Sequence, residues 1–96
     1  AHEPVIARQG DHPDGLLMIR AGFARVTSRL GHGERTLTYL GAGDIYGLEE
    51  LYASWRAGEA RPWQTSLTAI GYVDVVRVPT HLLEQFVFPD LQRPPD

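Results

Sequence analysis

The sequence predicts a mainly β fold: an antiparallel double-sheet β-roll, a jelly-roll-like barrel, with a short helix in its middle and a second helix near its C-terminus. Three observations predict it. Short runs of alternating apolar and polar residues recur along the chain, which is the period of a half-buried strand. Glycine-bearing turns separate these runs at short intervals, as in all-β sandwiches and barrels. Helical signals are confined to two stretches, residues 48–53 and 80–88.

Each element follows in order. Residues 4–8 form a short first strand, and Gly10-Asp11-His12-Pro13-Asp14-Gly15 is a turn cluster. Residues 16–20 read as a buried strand that breaks at Ala21-Gly22. In residues 23–30, Phe23, Arg25, Thr27 and Arg29 alternate with Ala24, Val26, Ser28 and Leu30, so one face is wetter than the other. Gly31-His32-Gly33 closes a hairpin. Residues 34–40 return, with Leu37 and Tyr39 on one face and Thr36, Thr38 and Leu40 on the other.

The turn Gly41-Ala42-Gly43-Asp44 leads toward the first helix, which starts after Gly47 and carries Glu49 and Glu50 where negative charge suits the helix dipole. Residues 53–63 are the least regular and hold Trp55, Arg56, Gly58, Arg61, Pro62 and Trp63. Residues 65–70 and 73–78 predict a last hairpin around Gly71-Tyr72. The second helix starts with Thr80 as N-cap after Pro79, presents Leu82, Leu83, Phe86 and Val87 as one apolar stripe, and is stopped by Pro89.

Composition narrows the function classes. A chain of 96 residues is expected to be one domain, residues 1–96, and a small one. No run of eighteen apolar residues predicts a membrane span, and no N-terminal segment reads as a signal peptide, so the expected location is cytoplasmic. Without cysteine there is no disulfide or thiol chemistry. The net charge of −3 argues against nucleic-acid binding, which requires a basic surface. Every basic side chain is arginine, which makes forked bonds to carboxylates and phosphates. The chain lacks an initiator Met and ends in Pro94-Pro95-Asp96, so it is expected to be a piece of a longer protein.

The order and spacing of Gly10-Asp11, Leu16–Ile19, Gly22, the alternating run to Leu30 and Gly41-Ala42-Gly43-Asp44 resemble the cyclic nucleotide-binding domain family, the type found in catabolite activator protein and in protein kinase A regulatory subunits. The resemblance covers roughly residues 5–91. It implies a β-roll of that type, a non-catalytic regulatory or sensory role, and cyclic AMP or cyclic GMP as the ligand. It also implies a cassette that holds the cyclic phosphate: Phe-Gly-Glu, two residues, Leu, a loop, then Arg-x-Ala-Thr-Val.

In this sequence Tyr46-Gly47-Leu48 stands where Phe-Gly-Glu is expected, Leu51 matches the later leucine, and Thr65-Ser66-Leu67-Thr68-Ala69 matches the strand. Trp63 falls where the arginine should be, and the loop is a few residues longer. The candidate pocket residues are therefore Tyr46, Gly47, Leu48, Glu49, Arg61, Trp63, Thr65 and Ser66.

The departures bear on affinity. A helix N-terminus offers backbone N–H groups to an anion, an arginine adds charge-assisted bonds, and a glutamate accepts from the ribose hydroxyl. Bonds to charged groups are worth about 1.5–3 kcal/mol each, so losing both side chains costs roughly 3–6 kcal/mol, on the order of 10²–10⁴ in affinity. Rescue would need Glu49, one residue beyond the expected glutamate, with Arg61 or Arg56. Against rescue, Glu49 and Glu50 place two negative charges at the helix end. Trp55 and Trp63 suit either stacking on a purine or filling the pocket and covering the loop. Leu48 points to a packed pocket or a hydrophobic ligand.

The rival class is a cupin-like metal enzyme. It requires a His-x-His pair with a nearby Glu and a later His, and His2, His12, His32 and His81 supply no such pair. Ser28, Ser54 and Ser66 lie in no Gly-x-Ser-x-Gly turn. The expected partners are a small-molecule effector and either an output domain outside these residues or a protein partner, with a homodimer as one arrangement. The reading is of a regulatory module whose cyclic nucleotide binding is weakened or lost, with a rearranged working sensor as the alternative.

Overall fold

The computed structural model describes residues 4–92. Its elements are β1 (Val5–Ala7), β2 (Gly15–Leu30), β3 (Gly33–Leu40), β4 (Ile45–Tyr46), α1 (Leu48–Ala57), β5 (Ser66–Pro79), α2 (Thr80–Phe86) and α3 (Phe88–Gln92). All strand pairs are antiparallel, and the strands form one bent sheet in the order β1-β5-β2-β3, with β4 also on β2. The β-roll is therefore built from a single folded sheet that does not close. β2 takes β5 along one edge from Gly15 to Thr27. Its other edge is shared, with Leu17 and Met18 paired to β4 and residues 24–30 paired to β3.

The expected last hairpin is corrected. Residues on either side of Gly71-Tyr72 do not pair with each other; they belong to one continuous strand, β5, that runs along β2. The break expected at Ala21-Gly22 is likewise a corner inside the long strand β2. The register passes from Phe23↔Ile70 to Gly22↔Val73, so Gly71 and Tyr72 bulge out of the ladder, and Arg20 is skipped on the other side. Bulges bend a strand without ending it. Gly22 sits at φ +83, and a Cβ there would overlap the Tyr72 carbonyl oxygen, so only glycine lets the two backbones approach this closely.

The first helix runs on to Ala57, past the expected end at residue 53. Its stop is a Schellman motif: the Gly58 N–H donates to the Trp55 carbonyl and the Glu59 N–H to the Ser54 carbonyl, each at 3.2 Å. The second helix also differs. Thr80 makes no side-chain cap and already has helical backbone; Pro79 occupies the N-cap position, and the Thr80 Oγ1 is buried without a hydrogen bond. α2 ends at Phe86, and Pro89 sits in the first turn of α3 rather than beyond a single helix. Proline is tolerated in a first turn, whereas within a continuous helix its ring would strike the carbonyl four residues back.

Leu16 and Leu17 are adjacent on a strand and point to opposite faces, and each seeds a core. Leu17 packs with Ile19, Ala24, Val26, Tyr46, Trp63 and Leu67 inside the bent sheet. Leu16 packs with Leu51, Leu83 and Phe88, joining α1 and the C-terminal helices to the outside of the same strand. The second core explains the apolar positions of 80–88 that face inward; Leu82 and Phe86 lie on the exposed side.

Candidate ligand-binding site

Four hydrogen bonds hold the turn that precedes the site, one of them from the Asp44 N–H to the Gly41 carbonyl at 3.0 Å. The Asp44 carboxylate accepts from the Gly41 N–H at 2.8 Å, the Ile19 N–H donates to the Asp44 carbonyl at 2.9 Å, and the Gly43 N–H donates to the Ile19 carbonyl at 2.8 Å. This pins β4 to β2. The chain then turns through Gly47 at φ +101 into α1. A Cβ on Gly47 would overlap the six-membered ring of Trp63, so this glycine is required both by its backbone angle and by the packing beneath it. The Leu51 N–H makes the first intrahelical bond, to the Gly47 carbonyl at 3.0 Å. The N–H groups of Leu48, Glu49 and Glu50 precede it and have no intrahelical acceptor.

Above this helix end lies a cavity of about 390 Å³, of the size that small-molecule sites occupy. β2 contributes Val26, β3 contributes Thr38 and Leu40, β4 contributes Ile45 and Tyr46, and the helix end contributes Gly47, Leu48, Glu49 and Glu50; Thr65 completes the wall. Five of the sequence candidates therefore come together here: Tyr46, Gly47, Leu48, Glu49 and Thr65.

The other three stand elsewhere. Trp63 is buried in the sheet core under Tyr46 and Gly47, with ring centroids 4.9 Å from Tyr46. Its N–H donates to the Asp11 carbonyl at 2.8 Å and its carbonyl accepts from the Gly10 N–H at 2.9 Å, so its backbone is tied to the first turn cluster. Arg61 is exposed, with its Nε 3.2 Å from Glu59 Oε1, and lines an adjoining hollow that shares Glu49 and Glu50. Ser66 accepts from the Gln9 N–H at 2.8 Å and borders a separate groove with Arg8 and Arg29. Arg56 lies over the Tyr52 ring, 5.8 Å from its centroid, and Trp55 stacks with Tyr52 and packs tilted against Phe88 in the helical core; neither lines the cavity.

Tyr46 is buried in the cavity wall. Its hydroxyl donates to the Thr65 carbonyl at 3.0 Å and shares a hydrogen bond with Thr65 Oγ1 at 2.6 Å. Burial pushes its pKa up to about 12, the Thr65 hydrogen bond opposes that rise, and the nearby Glu50 carboxylate adds to it. Glu50 itself accepts from the Gln64 N–H at 3.2 Å, which ties the chain before β5 to the helix end.

The sequence candidates omitted Val26, Thr38, Leu40, Ile45 and Glu50. A signal existed for three of them: Val26 lies on the drier face of its run, and Thr38 and Leu40 share the face opposite Leu37 and Tyr39. Among the described residues no cluster of His, Asp or Glu could hold a metal ion; His2 lies outside them. No helix among them is long and apolar enough to cross a membrane.

The family model described as the cyclic nucleotide-binding domain matches residues 2–90. This chain belongs to the cyclic nucleotide-binding domain family. Solved structures share its fold. The EAL enzyme Bd1971 in its cAMP-bound form is 26% identical over 86% of this chain and 21% of that one, with a TM-score of 0.71. The catabolite activator protein of Thermus thermophilus is 23% identical over 94% of this chain and 42% of that one, at 0.70. The cAMP-bound PfPKA-R (141-441) is 17% identical over 91% of this chain and 27% of that one, at 0.72. The chain spans about a fifth of the EAL enzyme's length. A search of curated proteins finds no match.

Proposed function

We propose that this cyclic nucleotide-binding domain is a non-catalytic regulatory or sensory module whose affinity for cyclic AMP and cyclic GMP is weakened or lost. The observation that carries this reading is the charge of the cavity: the charged residues in its wall are Glu49 and Glu50, and no arginine lines it. A cyclic phosphate would meet two carboxylates where it needs a cation. The site also supports a response to binding. Leu48 lines the cavity and packs against the core that holds Leu83 and Phe88, so a shift of the α1 end is felt by the C-terminal helices. The output of such a shift would lie in a domain or partner outside these residues.

A second reading has one observation in its favour. Arg61 borders the hollow next to the cavity and shares Glu49 and Glu50 with it, so a rotation away from Glu59 would bring a cation toward the helix end. Calorimetric titration with cyclic AMP and cyclic GMP near physiological salt separates the two. No heat up to millimolar ligand is the expected result. Saturation in the micromolar range would overturn the proposal and favour a rebuilt cassette, and Arg61→Ala or Glu49→Ala would then abolish it.

A further inference from the structure

Resting on the reading that this cavity is the domain's ligand site, we infer that its occupant is a small organic cation carried on an aromatic or aliphatic body. The walls are mainly apolar, from Leu40, Ile45 and Leu48 among others, so the ligand's body is apolar. The charge at the rim is negative. The α1 N-terminus contributes roughly half a positive charge, and two full carboxylates, Glu49 and Glu50, stand on its first turn and outweigh it. Acidic residues in a first turn also stabilise the helix itself, but that role does not require every cation to be kept out of an adjoining cavity. Glu50 spends one lone pair on the Gln64 N–H. Glu49 is exposed and, among the described residues, makes no hydrogen bond or ion pair, so its carboxylate is free for a ligand. The arginine of the adjoining hollow, Arg61, is directed to Glu59. An ammonium group placed at this rim gains attraction from both carboxylates and presents donors to groups that can only accept.

The test uses one body at three charges: cyclic AMP, adenosine, and 5′-amino-5′-deoxyadenosine, whose primary amine is protonated at neutral pH. Each is titrated calorimetrically into the purified protein at low salt and near physiological salt. The amine should bind at least about tenfold more tightly than cyclic AMP, with adenosine between them, and the spread should narrow as salt rises. Glu49→Gln, an exposed substitution, should reduce the spread, and Glu49→Gln with Glu50→Gln should remove it, while circular dichroism confirms that both variants stay folded. Equal binding of amine and nucleoside, a spread that survives the double variant, or no heat from any of the three overturns this inference and leaves the loss of cyclic nucleotide binding standing. Micromolar cyclic AMP as the tightest ligand overturns both.

Discussion

Tyr46 and Trp63 pack against each other, with ring centroids 4.9 Å apart. Tyr46 closes one wall of the cavity, and Trp63 supports it from the core. Tyr46 also carries a pH dependence. Its pKa is about 12 in the folded protein against 10.0 ordinarily, because burial disfavours the phenolate. Below pH 10 the phenol is neutral in both folded and unfolded chains, and its contribution is complete. As pH rises from about 10 to about 12 the unfolded chain releases the proton first, and stability falls by up to about 2–3 kcal/mol. Tyr46→Phe should cost about 1–2 kcal/mol at pH 8 through the lost Thr65 bonds, and should flatten the alkaline fall. Urea unfolding at pH 8, 10 and 11.5 checks this; equal slopes for the two proteins would refute it.

Among the elements, the corner shared by β2 and β5 decides the shape of the sheet. Two glycines of similar backbone angle separate its causes. Gly22 has φ +83 with the Tyr72 carbonyl in the path of any Cβ, whereas Gly43 has φ +92 with nothing within 4 Å. Gly43→Ala should therefore cost only the conformational strain, about 1–2 kcal/mol. Gly22→Ala adds a backbone clash of about 1–3 kcal/mol. Denaturant midpoints for the two variants measure the difference, and equal losses would mean that the close approach at the corner contributes nothing. The same corner explains why the cavity exists. It lets β2 pair with β4 at Leu17 and Met18 and with β3 from Ala24 onward, so Ile45 and Tyr46 come to face Thr38 and Leu40 across one space.

At the scale of the molecule, two cores share one strand. Leu16 and Leu17 tie the helical layer and the sheet interior to adjacent residues of β2, so we expect the two cores to unfold as one unit. The two tryptophans report on them separately: Trp63 belongs to the sheet core, and Trp55 packs against Phe88, at 5.4 Å, beside the helical one. Single-tryptophan variants, Trp55→Phe and Trp63→Phe, should give fluorescence transitions that coincide with each protein's circular dichroism transition. A Trp55 signal that is lost at lower denaturant than the strand signal would show that the helical layer opens by itself, and the single-domain expectation would fail.

Much of the fold was legible in the residues because it depends on local preferences. The alternation in 23–30 and 34–40, the turn at Gly31-His32-Gly33 and the helix start after Gly47 each follow from neighbours in sequence. So do the glycine turns, which carry much of the resemblance to the family the chain belongs to. Partner choice was not legible. Gly71-Tyr72 looks like a hairpin turn by composition, and only the availability of β2 alongside makes it a bulge in a continuous strand. Thr80 has the chemistry of an N-cap, but α2 begins at Thr80 itself, with Pro79 in the N-cap position. Trp63, Arg61 and Ser66 lie close to the cavity in sequence yet line no part of it, because Trp63 is buried in the core beneath it, Arg61 stays exposed, and Ser66 faces away from its neighbour Thr65. The chain's own residues determined its strands, turns and acidic helix end. Tertiary structure alone decided which of them share a wall, since that depends on contacts between residues far apart in sequence.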